Sequence, residues 1–193
     1  MLLDALSAPG PAPDRAPGLQ LYAFLVGSWS LDVHYPQPDG TRLRSRGEVH
    51  AGWVLEGRAI QDVWIVPARG LPRGELPASA EFYGTTLRIY DPGLDAWHIL
   101  WSDPMRQLYR RQLGRASGRD IVQLGTDDSG AQVRWSFQDR TPDSFRWCGE
   151  RSPDGGASWT LMAEFHARRT PAAQVPTTIL PVSPRCGPLT RPP

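Results

Sequence analysis

Between Trp29 and Phe165 the apolar residues fall on every second position, in short runs interrupted by glycine, proline and aspartate. A period of two puts successive side chains on opposite faces of a strand, whereas an amphipathic helix needs a period near 3.6. Trp29, Leu31, Val33 and Tyr35 oppose Ser30, Asp32 and His34 in the first run. Val49, Ala51 and Trp53 oppose Arg44, Arg46, Glu48 and His50 in the second. Further runs cover 57–67, 82–91, 96–103, 108–113 and 120–124. Three more centre on Trp135, on Trp147, and on Trp159 with Leu161, Ala163 and Phe165. Asp91-Pro92-Gly93, Asp127 to Gly130 and Asp154-Gly155-Gly156 supply turn chemistry between them.

About ten strands at near-regular spacing argue for a sandwich or a barrel, and periodicity alone does not choose between them. A closed barrel leaves no strand edge open to other chains. The expectation is therefore all-β: a single antiparallel up-and-down β-barrel of about ten strands. Leu19, Leu21, Tyr22, Leu25 and Val26 follow Pro17-Gly18 and stop at Gly27, which predicts a short N-terminal helix closing the base. The segment 67–80 holds three prolines and two glycines. A loop of that length in a small barrel suits a functional lid.

The chain of 193 residues suits one domain. Proline crowds both ends, which predicts a Pro-rich tail over 1–18, the barrel over 19–169 and a second Pro-rich tail over 170–193. Twenty-one basic residues, all arginine, against twenty acidic ones leave a net charge of +1, so no global field attracts polyanions or membranes. The arginine groups at 42, 44 and 46 and at 110, 111, 115 and 119 read as solvated surface, and no nucleic-acid partner is expected. No apolar run approaches the roughly 18 residues of a membrane helix. Cys148 and Cys186 form no disulfide or metal pattern. With no leader-like start, a cytoplasmic location is expected.

Phe24-Leu25-Val26-Gly27-Ser28-Trp29 resembles the Gly-x-Trp opening of lipocalins, fatty-acid-binding proteins and nitrobindins, where the tryptophan plugs the barrel base. These residues and further stretches resemble a bacterial lipocalin-like (calycin-type) family of unknown function. The likeness runs through the "FLVGxW" start, the Tyr83–Trp101 hairpin "YGTTLRIYDP…DAWHILW", and the "RWSF…DSFRWCGERSPDGGASWTL" ending at Arg134–Leu161. The resemblance implies a fold more than an activity. Its nitrobindin branch implies a haem alternative in which His166 on the last strand meets the iron. Period-two alternation with Phe165 inward would turn His166 outward, and the first strand lacks the glycines that haem approach needs.

Eight tryptophans point to an aromatic interior, most of them sharing the inward parity. Trp29 is expected as the plug, and Trp101, Trp135 and Trp147, central in their strands, as cavity lining. Asp62, Arg88 and His98 are polar residues on strands of ambiguous parity, and a charge facing inward must be paired or bind a ligand. An inward Arg88 would suit a ligand carboxylate. The expected ligand set is thus Trp101, Trp135, Trp147, Arg88, His98 and Asp62. The expected partner is a small hydrophobic or aromatic ligand, with a homodimer as the assembly to test.

No cofactor is implied by the residues. The four histidines, at 34, 50, 98 and 166, lack ligand spacing, so no metal site is expected. Catalytic motifs such as Gly-x-Ser-x-Gly or His-Glu-x-x-His are missing, which favours binding over catalysis. The alternative is a cavity-based isomerase, cyclase or hydrolase using His98 with Asp62 or Glu150. Ser152 to Trp159 resembles a single Asp box, with Asp154 expected to cap its turn.

Overall fold

Each strand pairs antiparallel with its neighbour in sequence, and the first returns to the last. The computed structural model describes residues 1–171. Its strands are β1 (Gly27–Pro36), β2 (Arg42–Val54), β3 (Ala59–Val66), β4 (Phe82–Asp91), β5 (Ala96–Asp103), β6 (Leu108–Ser117), β7 (Asp120–Thr126), β8 (Gln132–Gln138), β9 (Ser144–Ser152) and β10 (Thr160–Thr170). The β1–β10 seam, with Leu31 opposite Ala167 and Val33 opposite Phe165, closes the barrel. Closure leaves no unpaired edge among these strands.

Alternation sorts the side chains as the period demands. Trp29, Leu31 and Val33 of β1 face in with Ile60, Trp64, Trp97, Ile99, Phe137, Phe145 and Phe165. A register shift between Leu161 and Ala163 on β10 breaks the pattern there. Trp159, expected to face inward, precedes that shift and lies on the outer surface under Arg134, whose guanidinium sits 4.1 Å from the ring centroid. Its hairpin is held by Asp154, which accepts from the Ser152 and Ser158 hydroxyls and the Ser158 amide.

Helix α2 (Ala16–Ala23) caps one end. Pro17 fits its first turn, where the missing N–H is not needed. The helix drives Leu19 and Tyr22, followed by Leu25, into the closed end of the barrel, all fully buried. Trp29 fills the base behind them: its indole donates to the Leu25 carbonyl at 2.8 Å, and its ring meets Phe145 edge-on at 4.8 Å. Arg169 at the end of β10 lies 4.0 Å over the Trp29 ring and donates to the Val26 and Phe24 carbonyls. It thereby satisfies acceptors left open at the helix end.

Residues 1–18 are not the extended tail that their prolines suggest. Helix α1 (Leu2–Leu6), a 3-10 turn at Pro13–Arg15 and the start of α2 occupy them. The Ala8 amide donates to the Trp53 carbonyl, Leu55 to Leu6, and Ala12 to Gly57. Proline removes donors from the segment itself, but the turn between β2 and β3 offers acceptors and donors to the residues between the prolines. The expected C-terminal tail and Cys186 lie outside the described residues, apart from its first two positions. Among the described residues, no helix is long and apolar enough to cross a membrane.

Candidate functional site

The end of the barrel opposite α2 holds a cavity of about 630 Å³. That is in the range that small-molecule pockets occupy, roughly 300–1,000 Å³. Trp101, Trp135, Trp147, Phe82 and Phe165 supply its aromatic wall, and Arg88, Gln112, Gln123 and Thr86 line it as polar groups. Leu108, Val133 and Met162 add aliphatic surface.

The indoles are layered. Trp147 stacks on Trp135 with centroids 4.0 Å apart and planes 21° apart, and Trp64 of β3, which is not paired with β9, lies 4.3 Å from Trp147 across the barrel. Two glycines make this possible. A Cβ on Gly149, directly opposite Trp135 in the sheet, would lie 2.2 Å from the indole. One on Gly84 would lie 2.4 Å from the Trp101 ring. With no side chain there, each ring lies flat along the neighbouring strand instead of filling the lumen. These glycines escaped the sequence reading, which weighed glycine as punctuation. An inward-parity glycine facing a tryptophan one strand away was the available signal.

Arg88 is 1% exposed, and its guanidinium pairs with the fully buried Asp62 carboxylate one strand over. Asp62 accepts a second bond from the Thr86 amide at 3.2 Å. The guanidinium also lies 5.5 Å from the Tyr22 ring centroid and 5.9 Å from that of Phe137. Burial pulls the Arg88 pKa down to about 10, which still leaves it charged at neutral pH. Burial raises the neighbouring Tyr22 phenol to about 12, and its hydroxyl accepts from Gln123 at 3.2 Å. Asp62 lies behind Arg88, outside the cavity lining. Three buried donors around this site have no partner, Arg88 Nε, Trp64 Nε1 and Trp147 Nε1, and all three are shielded from open space.

The mouth is polar and mixed in sign. Arg106 pairs with Asp103, Arg110 with Asp128, and Asp127 with Arg151. Arg110, expected on the solvated surface, lines the cavity because β6 presents its even-numbered residues inward. Pro77, Ser79 and Ala80 of the long loop complete the rim. The Tyr35 hydroxyl donates to the Ala80 carbonyl at 2.8 Å and Arg106 to the Ser79 carbonyl at 2.9 Å. At its other end the loop is tied by Arg69, which donates through its amide and side chain to Glu48.

The fold thus brings Trp101, Trp135, Trp147 and Arg88 to one cavity, with Asp62 behind them. His98 is elsewhere. Trp97, Ile99 and Trp101 take the inner face of β5, so His98 points outward, 3.2 Å from Asp91. It therefore drops out of the expected ligand set. His166 is likewise outside, 47% exposed, and offers the cavity no iron ligand. On that outer wall it meets His34 and Glu164, a grouping invisible in the spacing of the histidines along the chain.

No protein-family model matches the chain. Over 79 residues, 40% of its length, it is 39% identical to an NADH-quinone oxidoreductase protein of Rhizobium meliloti (strain 1021), and it spans 18% of that protein. Among solved structures it is similar to Rv2717c from M. tuberculosis, with a TM-score of 0.55 and 15% identity, over 83% of this chain and 99% of that one. It is also similar to the S-type phycobiliprotein lyase CpeS from Guillardia theta, with a TM-score of 0.55 and 12% identity, over 84% and 99% of the two chains. At such identities the likeness is one of fold. The chain is a closed ten-stranded antiparallel β-barrel, and that fold is what it shares with these two structures.

Proposed function

We propose that the barrel binds one small, planar, neutral aromatic molecule bearing a hydrogen-bond acceptor. The observation that carries this reading is an indole-walled cavity with an already neutralised ion pair in its wall. Flat rings stack favourably on Trp135 and Trp101. The cavity's polar lining at Gln112, Gln123 and Thr86 offers donors that a carbonyl or ether oxygen satisfies. A ligand carboxylate suits the site less well. Asp62 already takes the Arg88 guanidinium, and a second carboxylate would meet like charge in a low-dielectric interior. The fold likeness to a phycobiliprotein lyase agrees with a ligand-holding barrel.

A cavity enzyme has less support. His98 lies outside the lumen, and Asp62 and Arg88 neutralise each other, so these three residues form no free acid–base pair facing a substrate.

Quenching of tryptophan fluorescence by fluorenone, fluorene and fluorene-9-carboxylate tests the reading. Saturable binding is expected for the first two. Fluorenone should bind more tightly by about 2- to 10-fold, the worth of one hydrogen bond, and the carboxylate should bind more weakly than fluorene. Absence of saturable binding by all three overturns the proposal, and preference for the carboxylate overturns the neutral-ligand part of it.

A further inference from the structure

We propose that His34, Glu164 and His166 bind a divalent transition-metal ion of the zinc class on the outer wall of the barrel, across the β1–β10 seam. This site is separate from the cavity and independent of what the cavity binds.

The geometry follows from strand pairing. Glu164 and His166, two residues apart on β10, point to the same outer face, and His34 of β1 stands directly opposite Glu164. Residues at i and i+2 with a cross-strand neighbour form a triangle on one face of a sheet. One potential ligand atom from each of the three lies within 4.8 Å of the others. The His166 Nε2 to Glu164 Oε1 edge is 3.3 Å. Ligand atoms on a tetrahedral zinc lie roughly 3.3 Å apart, given bond lengths of about 2.0–2.1 Å. The remaining edges need to contract by about 1.5 Å at most by the same yardstick. Side-chain rotation of the half-exposed His166 closes its own edges, and rotation of the Glu164 carboxylate closes the one to His34.

A second observation singles out His34. Its side chain is 12% exposed, both ring nitrogens are shielded from water, and neither has a hydrogen-bond partner. A neutral imidazole always carries one donor and one acceptor; here Nε2 has only an Asp32 oxygen at 3.2 Å, off the hydrogen-bond direction, and Nδ1 has no partner, in a place where most buried polar atoms are satisfied. A metal ion takes up the acceptor nitrogen directly. The surrounding charges are Asp32, 3.2 Å from His34 Nε2, with Arg146 at 3.4 Å and Arg42 at 3.9 Å from Glu164. Arg146 donates to Asp139 through Nε at 2.9 Å and to Glu164 Oε1 through Nη1 at 3.4 Å, so a metal ion at Glu164 competes with one long hydrogen bond.

Two imidazoles with one carboxylate select a borderline ion over magnesium or calcium, which prefer oxygen alone. Three protein ligands leave one coordination position open. An ion held there would bridge the first and last strands and favour the closed barrel over the unfolded chain.

The test is calorimetric titration of the chelator-treated, tag-free full chain with zinc chloride, and a parallel cobalt titration followed by visible absorption. One zinc per chain is expected, with tetrahedral cobalt bands. His166→Ala, at an exposed position that leaves folding intact, should weaken zinc at least 10-fold, as should Glu164→Gln. His50→Gln and His98→Gln should change nothing. Zinc affinity unchanged in His166→Ala overturns the proposal. So does wild-type protein that takes up no zinc, or a sulfur-to-cobalt charge-transfer band showing that cysteine is the ligand.

Discussion

Arg88 and Asp62 form an ion pair sealed inside the barrel, and neither side chain is more than 1% exposed. The pair joins β3 to β4 diagonally, since Ile60 is the residue opposite Arg88 and Thr86 the one opposite Asp62. Its two charges cancel, so they stabilise little together and cost much apart.

Asp62→Ala should therefore destabilise the protein by about 3–5 kcal/mol, because it strands the Arg88 charge in the interior. Asp62→Leu combined with Arg88→Met should recover most of that loss. Urea midpoints of the single and double variants measure both. A double variant as unstable as the single one would mean that the pair contributes more than mutual neutralisation.

Gly149→Ala introduces a methyl group where Trp135 now lies flat. Overpacking of this kind costs about 1–3 kcal/mol. The indole must tilt into the lumen, so cavity volume falls and the Trp135–Trp147 stack is broken. Far-ultraviolet circular dichroism should lose the exciton couplet of the stacked indoles, as it should in Trp135→Phe. Aromatic-ligand affinity should fall with it.

The anchor of the long loop is pH-dependent. The Arg69 guanidinium hydrogen-bonded to Glu48 holds its carboxyl down to about 2, from an ordinary value of 4.5. A carboxyl whose folded pKa lies below its unfolded one adds stability above the unfolded value and loses it as pH falls through the folded one. Arg69 is 60% exposed, so the pair is worth only about 1 kcal/mol. Glu48→Gln should cost that much at pH 7, and the gap to wild type should close as pH drops from 4.5 towards 2. Thermal melts across that window check it.

Removing residues 1–12 deletes three backbone hydrogen bonds to the β2–β3 turn and its flanks. The expected loss is about 1–3 kcal/mol, since the freed groups regain water. Hydrogen exchange at the Leu55 amide, which donates to Leu6, should quicken while amides at the β1–β10 seam keep their protection.

Much of this fold is legible in the chain. Strand alternation and the turn set by Asp154 are local facts, because a period of two and a turn's φ values act over a few residues, and the plug at Trp29 is what the Gly-x-Trp resemblance implied. Parity at polar positions is different. In β4, Phe82, Thr86, Arg88 and Tyr90 oppose Tyr83, Thr85, Leu87 and Ile89, and both sets are apolar enough to be buried. Local pattern cannot rank them, so the inward choice of Arg88 depended on Asp62 waiting on the next strand. On β5 the greater bulk of Trp97, Ile99 and Trp101 took the interior and left His98 outside.

The sequence by itself determined that about ten strands form and that indoles dominate one face, since both follow from spacing and side-chain size. Tertiary structure alone decided that room remains beside those indoles. Lumen volume is the space the barrel encloses less the summed volume of the side chains that point inward, and glycines on other strands, at 84 and 149, let two of the indoles lie flat against the wall. It also decided that His34 would face Glu164 and His166. Residues so distant along the chain meet only once the first strand zips to the last.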